Sequence, residues 1–347
     1  MKIFPGIEPP PFRTIPRRWF CVKRRFFAMI LVLALLVVPV RGAEDYIKWV
    51  DFNVSYEAMD KALALDIRSQ EQDMPVSWID LLALAACRTG GKVTGKSVEQ
   101  AYKNLQTGQS PQELLGELFK YYSYYHEAYD AALGGLVGNY AILVEEGGEK
   151  VWKASYGLKA FSPIAAGYGY SHCDDFGVGR SYGFARKHLG NDLMGALGTP
   201  IVAVEAGTVE AMGWNQYGGW RVGIRSLDHR RYYYYAHLQK DTPFAPGLQE
   251  GDQVQAGQVI GFMGRTGYST HENVNNIETV HLHFGLELIF DESQKECNSE
   301  IWIDVYQIVR LLSRHRSSVI KAGDGTWQRV YAYRDLDAED WESPQGS

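Results

Sequence analysis

VHLHFGLELIF, residues 280–290, reads with a period of two. Leu282, Phe284, Leu286, Leu288 and Phe290 fall on one face, and His281, His283, Gly285 and Glu287 fall on the other. That pattern is a β-strand with an apolar back and a polar front. Two imidazoles on one strand face stand about 6.6 Å apart along the chain, near enough to serve one small site. Neutral imidazole is also a common zinc ligand. The plainer alternative is an exposed strand face whose histidines carry no chemistry, and the sequence around it decides between the two.

Upstream of this strand, from about Val151, come TPIVAVEAGTVEAMGW, WRVGIRS, RRYYYYAHL and QVQAGQVIGFMG. These are short β-branched or aromatic runs separated by Gly, Pro, Asn and Asp, the signature of a compact antiparallel β domain. From Asp45 to about Gly135 the signals are helical. Ser77 with Asp80, Ser97 with Gln100, and Ser110 with Pro111 and Glu113 mark helix starts, the last two as capping boxes. Gly90-Gly91 and Gly134-Gly135 supply stops. The tyrosines of KYYSYYHEAYDAAL occupy more than one helix face, which predicts packing against a core or against the β half. Beyond the β region, IWIDVYQIVRLLSRHR aligns Ile301, Val305, Ile308 and Leu312 as one side of a helix, followed by the charged tail DLDAEDWESPQGS. The expected fold is therefore α+β. A helical domain of unassigned role (43–150) precedes a mainly antiparallel β domain (151–295), which is followed by a C-terminal helix and tail (296–347).

The chain has 347 residues, 46% of them hydrophobic, enough for sizeable cores and too apolar for a disordered protein. Residues 1–42 hold eight Lys/Arg and one acid, leaving 27 basic against 40 acidic residues beyond, so nothing recommends a nucleic-acid partner. The basic Lys23, Arg24 and Arg25 introduce FFAMILVLALLVVPV, residues 26–40. That run is short for a membrane span and right for a secretory signal. Val40 and Gly42 place cleavage before Ala43, which predicts export to the cell envelope or the exterior; an uncleaved membrane anchor is the alternative. The four cysteines, Cys21, Cys87, Cys173 and Cys297, are too sparse for a disulfide scaffold, and none stands where a lipid would be attached.

Seven of the nine histidines lie between His172 and His283. KHLGND gives His188 and Asp192, YYYAHL gives His237, and HLHF gives the strand pair. A catalytic zinc needs three protein ligands and one open position; His188, Asp192 and one histidine of the pair satisfy that count. His237 and the other strand histidine then remain as a base and an oxyanion donor beside a metal-activated water. His271 and the SHCDD stretch (His172, Cys173, Asp174, Asp175) read as polar loops at the edge of a groove.

The ordered set H-x-x-x-D, Y-x-H-L and H-x-H-F, spread from about Gly179 to Glu287, resembles the lysostaphin-type, or LytM-like, zinc endopeptidases. Those enzymes cut peptide cross-links of bacterial peptidoglycan. The resemblance implies one zinc per chain on His188, Asp192 and His283, with His237 and His281 as the non-ligand catalytic pair and peptidoglycan peptides as the substrate. Two departures stand out: HENVNNIET is inserted before VHLHF, and the acid after the strand pair is displaced to Glu287. H-E-x-x-H does not occur, so a thermolysin-like base is excluded. Two rival classes remain. A non-catalytic wall-binding or scaffold protein on the same fold predicts missing ligands. A biotinyl- or lipoyl-type carrier, suggested by GDQVQAGQVIG, needs a lysine in a tight turn that this segment lacks.

Overall fold

Hydroxyl side chains start the helices of the first half. The computed structural model describes residues 46–181, 185–296 and 299–338; the apolar N-terminal run, Cys21, Cys297 and the end of the charged tail lie outside these. The helices are α1 (Tyr56–Ser69), α2 (Trp78–Thr89), α3 (Gly95–Leu105), α4 (Pro111–Leu115) and α5 (Tyr122–Leu133). Ser55 caps α1, Ser77 caps α2, and Ser110 with Glu113 closes a capping box on α4. The start of α3 differs from the sequence reading. Thr94 is the cap, and Ser97 is its reciprocal partner three residues on. The earlier start adds Gly95, Lys96 and Ser97 to α3, whose buried residues are Val98 and Ala101.

The strands are β1 (Val137–Glu146), β2 (Glu149–Leu158), β3 (Tyr170–His172), β4 (Gly179–Ser181), β5 (Ala185–Lys187), β6 (Asn191–Gly195), β7 (Pro200–Val202), β8 (Gly207–Asn215), β9 (Gly219–Ser226), β10 (Arg231–Ala236), β11 (Gln253–Val254), β12 (Val259–Phe262) and β13 (His281–Leu288). They are followed by β14 (Ile301–Ile303), helix α6 (Tyr306–Leu312), β15 (Val319–Lys321), β16 (Trp327–Arg329) and β17 (Tyr333–Asp335). The main antiparallel sheet runs β11-β8-β9-β10-β13-β6-β3, with β14 also paired to β13. Among the described residues no helix is long and apolar enough to cross a membrane.

Two boundaries move from their expected places. The helical stretch ends at Leu136, where the Gly134-Gly135 stop predicts, so the domain boundary expected at 150 falls inside the β1–β2 hairpin, to which β17 adds a third strand. The segment read as a sixteen-residue helix begins instead as a strand, because Ile301 and Ile303 both point into the core while Trp302 does not, a period of two. Only Tyr306–Leu312 is helical, and it still buries Ile308 and Leu312.

The apolar back of β13 (Leu282, Phe284, Leu286, Leu288) is buried in a continuous hydrophobic cluster. The same cluster contains Met59, Leu81, Leu82, Tyr129 and Leu133 of the helices and Ile308 of α6. Helices and sheet thus share one core. A charged tie runs through the same joint. Arg231, 1% exposed, donates to both carboxylate oxygens of Glu205 (2.8 and 3.1 Å) and to the backbone carbonyl of Ala131 in α5 (2.9 Å). The Tyr233 hydroxyl donates to Glu205 as well, at 2.6 Å. Removing Glu205 leaves Arg231 only the half-exposed Asp228, 2.6 Å away, as a counter-charge. Glu205→Ala should therefore lower unfolding free energy by up to about 3 kcal/mol, read from denaturant midpoints.

Candidate metal centre and catalytic pocket

Strand register assembles the site. β13 lies between β6 and β10, with His283 directly opposite Asp192 on one side and Ala236 on the other. His237 immediately follows Ala236. His188 arrives on the segment leading into β6, where its backbone bonds to Val178 and Gly177 hold it in place. All five residues expected at the site line one pocket, together with Arg180, Arg186, Tyr217, Gly218, Tyr234 and Tyr268.

His188, Asp192 and His283 converge. His188 Nε2 lies 3.1 Å from Asp192 Oδ1 and 2.8 Å from His283 Nδ1, and His283 Nδ1 is 3.4 Å from Asp192 Oδ1. One ligand atom from each of the three lies within 4.8 Å of those from the others. His188 Nδ1 donates to the Asp175 carbonyl at 3.0 Å, which puts its proton there and leaves Nε2 with a lone pair turned toward the site. Asp192 Oδ1 is buried and accepts no hydrogen bond. A buried carboxylate oxygen facing imidazole lone pairs fits a cation, and the donor set of two imidazoles and one carboxylate is a zinc set.

The other two histidines are oriented alike. His237 Nδ1 donates to the Thr266 carbonyl and His281 Nδ1 to the Thr279 carbonyl, each at 2.9 Å. Their neutral forms therefore carry the proton on Nδ1 and turn the Nε2 lone pair elsewhere; His281 Nε2 is 3.7 Å from Asp192 Oδ1. The two rings are 4.8 Å apart. His237 holds its position with φ at +64°, a left-handed conformation unusual for a side chain of this size, stabilised by a 2.7 Å bond from its amide to the Gly218 carbonyl.

Burial opposes ionisation of Asp192, yet hydrogen bonds and positive charge from the His188, His283 and His281 rings, in their protonated forms, hold its carboxyl well below the usual carboxylate range. Burial lowers His283, and it lowers His237 further, helped by His281 and His283 beside it. Both imidazoles are thus kept neutral, as a metal ligand or a base must be.

Some supporting residues escaped the sequence reading. Asp175, read there as part of an edge loop, organises the centre. Its carbonyl holds His188, one carboxylate oxygen accepts from the Asp192 amide (3.2 Å), and the other accepts from Arg180 (2.6 Å). Arg180 also donates to Asp192 Oδ2 at 3.1 Å. The acidic pair in SHCDD was the available signal; nothing in its spacing said which acid turns inward. His172 instead packs on Tyr306, with ring centroids 4.4 Å apart, and His271 is exposed outside the pocket. The displaced acid Glu287 is buried, pushed up to about 7 by burial and by Glu300, and is also outside the pocket. The inserted loop braces the wall: Asn273 accepts from the Trp220 indole (2.9 Å), and Asn276 donates to the Tyr268 carbonyl (2.7 Å).

The family model described as peptidase family M23 matches residues 186–296. That segment is a peptidase M23 domain. The chain is 38% identical over 124 residues to the L-Ala–D-Glu endopeptidase of Bacillus subtilis, covering 36% of each. It is 36% identical over 119 residues to lysostaphin of Staphylococcus simulans, covering 34% of this chain and 20% of that one. It is 38% identical over 90 residues to the peptidoglycan DD-endopeptidase ShyC of Vibrio cholerae, covering 25% and 19%. The chain therefore spans about a third or less of the length of these relatives. Asp175 and Arg180 lie before the matched M23 segment and still reach into its centre.

Within the M23 segment Gly190, in KHLGND, makes room for β13. A Cβ there would meet the Phe284 carbonyl oxygen at 2.6 Å and the His283 ring at 2.8 Å. Gly190→Ala should displace His283 and weaken zinc binding by an order of magnitude or more, measured by competition with a chromophoric chelator.

Proposed function

We propose that the chain is an exported, zinc-dependent endopeptidase that hydrolyses peptide bonds in bacterial peptidoglycan. One observation carries this reading: a three-residue ligand set and two further histidines with matched tautomers line a single pocket. The names of the M23 relatives, which specify endopeptidases and peptidoglycan, support the substrate class. A non-catalytic scaffold would have no need to keep all five groups, and it would not be expected to hold two non-ligand imidazoles in a fixed orientation.

His188 Nε2, His283 Nδ1 and an oxygen of Asp192 would hold the zinc. When bound, zinc supplies a Lewis acid that acidifies water and polarises a carbonyl. The protein's own groups handle the proton. A neutral His237 or His281 offers Nε2 to accept it from water, while the Nδ1–H bond to a backbone carbonyl keeps the ring from turning. The protonated ring then has an Nε2–H to stabilise a developing oxyanion or to deliver to the leaving amine. Arg180 neutralises the outer oxygen of Asp192 and fixes the carboxylate plane. Cysteine chemistry is disfavoured, because burial and the neighbouring Asp175 and Asp192 raise the Cys173 thiol, while burial pushes Cys87 up to about 11.

Purified walls of several cross-link types, digested with protein lacking residues 1–42, should release new amines. Release should stop with chelator and return with zinc; zinc-loaded protein that releases none from any wall would favour the scaffold. The two strand histidines should separate. His283→Ala should lose both zinc and activity. His281→Ala should keep about one zinc per chain while turnover falls about 100-fold or more, the scale of lost acid–base help. Asp192→Ala should follow the first pattern and His237→Ala the second; equal zinc loss in both strand variants would make His281 a ligand. Fractionation should place the protein outside the cytoplasm, with Ala43 at its N-terminus if the signal is cleaved.

A further inference from the structure

Among the described residues, Arg186 stands in the pocket without a counter-charge. Its guanidinium carbon lies 5.3 Å from the ring centre of Tyr217 and 5.2 Å from that of Tyr268, and one terminal nitrogen donates to the Tyr268 hydroxyl at 2.7 Å. Two aromatic faces and one phenol fix the group, but none of them neutralises it. Its Nε is buried with no acceptor, and among the described residues no carboxylate pairs with it. The neighbouring cation, Arg180, is by contrast already satisfied by Asp175 and Asp192. Among the described residues Asp192 is the one acid lining the pocket, and it is committed to the centre. A fixed, half-buried guanidinium with open donors is shaped for a planar anion.

Tyr268 links this group to the reacting centre, since its ring is also 5.9 Å from that of His237. We infer that Arg186 is a specificity-determining residue that binds a free carboxylate on the substrate peptide close to the scissile amide. The inference rests on the peptidase reading for its substrate but on Arg186 alone for its chemistry. Two peptide groups present such a carboxylate: the α-carboxylate of a glutamate linked through its side chain, and a chain-terminal carboxylate. A neutral glycine bridge presents neither.

The test uses two pairs of synthetic wall peptides. One pair differs only in acid against carboxamide at a γ-linked glutamate, the other only in acid against carboxamide at the C-terminus. Zinc-loaded protein, Arg186→Gln and Arg186→Lys are compared by kcat/KM and, for peptides that are not cut, by calorimetric Kd. Zinc content and circular dichroism verify that each variant is folded. The expected result is a preference of about 10- to 100-fold for the acid in one pair, the scale of a charge-assisted hydrogen bond. The preference should fall toward unity in Arg186→Gln and be partly kept in Arg186→Lys. The pair that shows it identifies the carboxylate. Equal handling of acid and amide in both pairs, or a preference that survives Arg186→Gln, overturns the proposal while leaving the peptidase reading intact. Arg186-dependent binding of the acid without cleavage of any peptide would sink the peptidase reading and keep the carboxylate site. A uniform loss for acid and amide alike would make Arg186 a brace for Tyr217 and Tyr268 and would also overturn the proposal.

Discussion

The pairing register of β13 is the constraint on which the site depends. Side chains alternate across a strand, so one residue of slip against β6 or β10 would turn His281 and His283 into the core and Leu282 and Phe284 into the pocket. The four buried side chains on the back of the strand, Leu282, Phe284, Leu286 and Leu288, oppose such a slip. The cohesion of the hydrophobic core therefore fixes which imidazoles face Asp192, and the apolar and polar faces of one strand cannot be altered independently.

Around that strand the polar groups are ordered by backbone carbonyls more than by other side chains. Thr266 and Thr279 each hold one histidine by the main chain, and Asp175 does the same for His188. Main-chain acceptors neither titrate nor change rotamer, so ring orientation is independent of pH and of substitutions at those acceptor positions that preserve the backbone. The left-handed backbone at His237 is the local strain that this arrangement contains.

Much of this was legible in the sequence because it was periodic or local. The alternation of VHLHFGLELIF gave the strand, the spacing in KHLGND gave two potential ligands, and the hydroxyl caps at Ser77 and Ser110 gave two helix starts. Ambiguity arose where two patterns fitted equally well. IWIDVYQIVRLL places isoleucines on a helical stripe and on alternate strand positions, and pairing with β13 decided it. Thr94 and Ser97 both carry a hydroxyl, and the two bond reciprocally with Thr94 as the cap, a pairing that spacing alone did not single out. Contacts between distant segments had no local signature at all. Asp175 and Arg180 meet Asp192 only once β6 is in place, and Arg186 meets Tyr217 and Tyr268 across 31 and 82 positions of sequence.

The core shared by helices and sheet bears on modularity. The M23 match spans 186–296, yet the back of β13 is buried in a cluster that reaches Tyr129, Leu133 and Ile308, all outside that span. Arg231 inside it is tied to a carbonyl of α5. The matched segment excised by itself would expose the underside of its central strand and leave a guanidinium without part of its cage. In this chain the M23-matched segment is not an interchangeable cassette. A graft intended to move its specificity to another protein would have to carry the flanking helices along.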